Sequence, residues 1–134
     1  MMASQTFGLW ALLLVSPPPI EARLEQLAPK VTKSADEPVV VRRPDVGRAV
    51  VLFHGLRVQP VSAAAVHRAE PSCWESADAP LLKVLSKEND VYGFHYAQSS
   101  TVDDVARAPE LYRSIQLLRQ AGYAEIVLVG YSAG

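Results

Sequence analysis

Two periods of apolar and polar residues alternate along this chain, and their changeovers mark its elements. Ala49-Val50-Val51-Leu52-Phe53 is a continuous apolar run that stops at His54-Gly55, as expected of a strand covered on both faces. Residues 90–96 alternate and are rich in aromatics, which predicts a second strand. Glu125 followed by Ile126-Val127-Leu128-Val129 predicts a third, and the β-branched Val39-Val40-Val41, ending at Arg42-Arg43-Pro44, a fourth. Elsewhere the period lengthens to that of a helix. Pro80 suits a first helical turn, and Leu81, Leu82, Val84 and Leu85 give it an apolar face. Thr101 and Asp104 have the spacing of a capping box. Pro109 follows too deep for an unbroken helix, so the helix either kinks there or yields to a new one beginning at Pro109. Leu111, Ile115, Leu118 and Gly122 then keep helical spacing, with Gly122 as the C-terminal cap. Residues 24–37 are polar and mixed, and Leu24, Leu27 and Val31 predict a short helix there at most. A long connection covers residues 56–77, with a turn of helix expected over 62–66. Strands alternating with helices imply parallel βαβ units, and hence the α/β class.

Composition narrows this picture. The chain has 134 residues, 49% of them apolar, and a net charge of −1, which places it among globular rather than disordered proteins. It carries no basic stripe, so nucleic acid is not an expected partner; Arg42-Arg43 reads as a solvated strand end. The single cysteine, Cys73, excludes an intrachain disulfide and a cysteine metal cluster, and reads as a small packed thiol. Residues 7–15 are an apolar core too short to span a bilayer and suited to an export signal. No Lys or Arg precedes it, and Pro17-Pro18-Pro19 occupies the place of a clean cleavage site; cleavage after Ala22, with Ile20 at the −3 position, fits best. Secretion or periplasmic export is therefore set beside a membrane-anchored or cytoplasmic protein, and membrane contact is expected only through this segment.

The strongest chemical signal is Gly130-Tyr131-Ser132-Ala133-Gly134, which follows directly on the apolar run 126–129. With Gly and Ser each near ~7% of residues, three fixed positions match about 3 in 10,000 windows, so roughly 0.04 matches are expected in 134 residues. G-x-S-x-G after a strand is a nucleophile elbow, where a sharp turn exposes the serine and glycines permit the strained backbone.

Together with Val50-Val51-Leu52-Phe53-His54-Gly55-Leu56, this motif makes the chain from residue 39 onward resemble the α/β-hydrolases, most closely their lipase-like and esterase-like members. The resemblance implies a mostly parallel sheet with flanking helices, of which this chain is the N-terminal half, ending after the nucleophile strand. Residues 1–22 are then a signal or hydrophobic segment, 23–38 a linker or short helix, and 39–134 a partial α/β-hydrolase domain. In that family the strand ending in His-Gly lies beside the strand ending in the elbow, so the two motifs are expected to meet at the C-terminal edge of the sheet. Ser132 is the implied nucleophile, attacking an acyl carbonyl to form an acyl-enzyme. The backbone N–H groups of Leu56 and Ala133 are the implied oxyanion donors. His54, Gly55, Gly130 and Gly134 support them. Leu56-Arg57 replaces the later glycines of the HGGG variant, which implies a one-glycine oxyanion loop.

The substrate implied is a small-molecule or lipid ester, with no cofactor and no metal; oligomeric state stays open. A non-catalytic relic or interaction module and an acyltransferase using the same serine are the alternatives. All three histidines, His54, His67 and His95, precede Ser132, whereas the family's acid and histidine follow it. The 134-residue chain alone is therefore expected to be inactive. His54 reads better as a loop-orienting residue than as a base. His95 lines the pocket or is structural, Trp74 packs or walls an acyl pocket, and Asp103 and Asp104 complement a helix dipole.

Overall fold

The computed structural model describes residues 20–31, 40–55, 69, 75–97 and 99–131. Their elements run β1 (Ala22–Ala28), β2 (Arg48–Phe53), α1 (Pro80–Leu85), β3 (Asp90–Tyr96), α2 (Val102–Ala106), α3 (Pro109–Gln120) and β4 (Glu125–Gly130). The strands form one four-stranded sheet in the order β1-β3-β2-β4. β2 is parallel to β3 on one side and to β4 on the other, while β1 is antiparallel to β3. The arrangement is α/β, with a mixed sheet.

The apolar run of β2 is explained by its central place. Ala49 to Phe53 are all buried, and so is every residue of β3, because both faces of these strands are covered. On one face Val51, Phe53, Tyr92, Phe94 and Tyr96 pack with Leu24, with Val105 of α2 and with Leu118 of α3. On the other, Val50, Leu52 and Val91 pack with Ala79 and with Leu82 of α1. Burying a side chain such as Leu118 completely contributes about 1.5–3 kcal/mol, so the α3 face is anchored largely by this one residue's row.

Two sequence expectations are corrected here. The segment carrying Leu24 and Leu27 is β1, not a helix. Its backbone groups find partners on β3 from Ala22↔Tyr96 to Ala28↔Val91, and extended geometry sends Leu24 into one core and Leu27 against the other. Val40-Val41 is not a strand. The side chain of Gln26 supplies what a neighbouring strand would: its Nε2 donates to Val41 O at 2.7 Å, and its Oε1 accepts from Val41 N at 2.8 Å. Val39, the helical turn expected over 62–66 and the apolar segment 7–15 lie outside the described residues. Among the described residues no helix is long and apolar enough to cross a membrane.

The Pro109 alternatives resolve into two helices. α2 opens on a reciprocal capping box, with Asp104 N donating to Thr101 Oγ1 and Thr101 N to Asp104 Oδ2, both at 3.1 Å. The Thr101 hydroxyl, also donating to Asp104, holds its carboxyl below the usual range, and the Thr101 backbone adds to this. α3 then begins at Pro109 and closes before Gly122, whose φ of 89° is the left-handed conformation that a glycine adopts without strain.

The N-terminal end of β3 is tied by a buried carboxylate. Asp90 is fully buried and accepts from Arg43 Nε at 2.6 Å, Arg43 N at 3.0 Å and the Tyr123 hydroxyl at 2.6 Å. Tyr92 and Tyr123 join hydroxyls at 2.7 Å. Arg43 Nη2 also donates to the carbonyls of Ser86 and Asn89. The segment before β2, the end of α1, β3 and the α3–β4 turn are thus joined at one carboxylate.

Candidate functional site

The opposite, C-terminal edge of the sheet brings together the described parts of the two sequence motifs, His54-Gly55 and Gly130-Tyr131. Phe53 of β2 stands in register with Gly130 of β4. Tyr131 N then donates to Phe53 O at 3.1 Å, extending the ladder one residue past the strand. His54 and Tyr131 therefore leave adjacent parallel strands at the same level. Parallel pairing is what makes this possible, since both chains run toward the same edge. Ser132, Ala133, Gly134 and Leu56 lie outside the described residues, as do His67, Cys73 and Trp74.

His54 is buried and has both ring nitrogens engaged. Nδ1 lies 3.1 Å from Gly55 O, and Nε2 accepts from Tyr96 N at 3.3 Å. The Tyr96 hydroxyl donates to the His54 carbonyl, and the two rings pack with centroids 4.1 Å apart at a tilt of 31°. Burial, reinforced by the negative charge of Glu75, pushes the Tyr96 phenol up to about 12. It stays a donor throughout the neutral range.

His95 points to the other face of β3 and is also fully buried. Glu25 Oε2 lies 3.5 Å from its Nδ1 and Glu75 Oε2 lies 3.5 Å from its Nε2. The imidazole crosses Gly93 so closely that a Cβ at that position would collide with Nε2, which is why this buried strand position carries glycine. The carboxylates sit on opposite sides of the ring, bridged by it rather than converging on a point. Among the described residues no three metal-ligating side chains converge.

Sequence reasoning did not find Tyr96, Glu75 or Glu25. The alternation in β3 separates Tyr96 from His95 by face, which is legible. That Tyr96 meets His54 depends on β2–β3 pairing, and Glu75 has the local look of a loop glutamate. Compared with known protein families, with curated proteins and with solved structures, the chain matches none.

Proposed function

We propose that this protein is a serine hydrolase of the α/β-hydrolase type, cleaving carboxylic esters through an acyl-enzyme on Ser132. The observation that supports this reading most is the pairing of β2 with β4, which sets Phe53 in register with Gly130 and so brings His54-Gly55 and Tyr131 out at one edge of the sheet. Ser132 follows Tyr131 directly. Its Oγ adds to the ester carbonyl carbon while its proton passes to a base; the N–H groups of Leu56 and Ala133 meet the resulting oxyanion, which collapses, breaking the C–O bond to the leaving group as the base returns the proton and the alcohol departs. Water then resolves the acyl-enzyme. Both ring nitrogens of His54 are engaged, and His95 points to the other face of β3 between Glu25 and Glu75. By the resemblance, the acid and the histidine that serves as base follow Ser132 in the chain.

Short acyl esters test the proposal. In the protein expressed from its natural gene, Ser132→Ala is expected to bring hydrolysis down to background while leaving the melting temperature unchanged. Wild-type turnover in Ser132→Ala would overturn it.

A further inference from the structure

The alternation of β3 puts His95 on the face of Val91, which packs with Leu82 of α1. Its ring folds back over the bare backbone of Gly93. Glu25 of β1 is in register with that glycine, and its carboxylate reaches the ring from one side, 3.5 Å from Nδ1. Glu75, just ahead of Ala79 and α1, reaches it from the other, 3.5 Å from Nε2. The side chains of His95 and Glu75 are fully buried, and that of Glu25 is partly so. Neither ring nitrogen has a hydrogen bond to any other group among the described residues. Arg23, also on β1, lies 3.8 Å from Glu25. The Tyr96 phenol, which feels the charge of Glu75, is pushed up to about 12 and stays neutral in the range considered below.

A ring nitrogen set against a carboxylate is held there only with a proton between them; otherwise a lone pair faces a negative charge away from water. A neutral imidazole has one N–H and serves one contact. The folded cluster has two contacts, so it needs a second proton. In an unfolded chain a histidine gives up its second proton near pH ~6.5 and a glutamate its proton near ~4.3, so above about pH 7 the three separated groups keep only one. We propose that Glu25, His95 and Glu75 form a proton-held latch: a proton in each contact fastens β1 and the segment leading into α1 to the two sides of His95, and loss of one at alkaline pH releases the Glu75 side. Glu25 stays in place because its strand is paired with β3. The latch does not depend on ester chemistry. Folding fixes the count of protons, whichever atom of each contact holds them. Because the folded chain then binds more protons than the unfolded one, stability falls as pH rises, and one extra proton corresponds to a tenfold change in the unfolding constant per pH unit.

Urea unfolding between about pH 7.5 and 8.5 tests this on the protein expressed from its natural gene. Glu75→Gln and Glu25→Gln each bring an amide N–H into one contact, so that a neutral imidazole serves both. Over this range the wild-type unfolding constant is expected to rise about three- to tenfold more than that of either variant, a comparison that cancels the other titrating groups. A smaller difference overturns the proposal. Glu25→Gln, at a partly exposed strand position, decides it if Glu75→Gln fails to fold. Hydrogen exchange then locates the opening. Corrected for intrinsic rates, exchange of the α1 amides is expected to quicken over the same range more than that of β2 in the wild type, but not in a folded glutamine variant. Equal quickening in α1 and β2 would mean that the whole fold loosens, and would overturn the latch.

Discussion

Asp90 is fully buried and Arg43 is 34% exposed, so their ion pair is only half withdrawn from water. Removing the guanidinium strands the carboxylate in the core, with the Tyr123 hydroxyl and the Arg43 backbone N–H as its remaining donors. Arg43→Ala is expected to lower unfolding stability by about 3 kcal/mol, the low end for a broken buried pair because one partner is partly solvated. Urea unfolding measures this, and a loss below about 1 kcal/mol would show that the network is redundant. The tyrosines of the core give a pH signature. Burial raises Tyr92 and Tyr96 from 10.0 to about 12, and burial followed by its bond to Asp90 raises Tyr123. A phenol raised in the folded state stabilises the fold below its unfolded pKa and loses that contribution as pH rises through the folded one. Stability is therefore expected to fall between pH 10 and about 12, with tyrosinate absorbance from these residues appearing only as the fold opens. Ionisation of all three in a still-folded protein at pH 10 would contradict this.

Among the elements, those with strong local signals were legible. The unbroken run of β2, the aromatic alternation of β3, Pro80 at the start of α1 and the spacing of α3 each name one structure. β1 was not, because Leu24, Leu27 and Val31 fit a helical period, and the open edge of β3, more than sixty residues away in sequence, decides otherwise. Val40-Val41 failed for a related reason: β-branched residues favour a pleated surface only where a strand lies beside them, and Gln26 occupies that place. β4 has the composition of a covered strand, yet among the described residues it pairs with β2 alone, and Leu128 is 53% exposed. Such an edge promotes pairing between chains. The 134-residue chain is expected to associate as its concentration rises. Leu128→Lys should lower light scattering without lowering the melting temperature, whereas unchanged scattering would place the contact elsewhere.

For the molecule as a whole, the sheet separates two tasks. Its N-terminal edge is braced by Arg43, Asp90, Tyr92 and Tyr123, and its C-terminal edge collects the candidate chemistry. The motifs at Gly55 and Ser132 were legible because each ends an apolar run abruptly. The register of Phe53 with Gly130 brings His54 and Tyr131, at the start of the two motifs' turns, to one level. The contacts beneath them, Tyr96 on His54 and the two glutamates about His95, join residues far apart in sequence and leave no local trace. Whether Ser132 is a nucleophile is decided by treating the protein, expressed from its natural gene, with a fluorophosphonate and mapping the adduct by mass spectrometry. A single phosphonyl group on Ser132, absent from Ser132→Ala, is the predicted result. An unmodified Ser132 peptide at saturating probe, or an adduct that persists in Ser132→Ala, would contradict it.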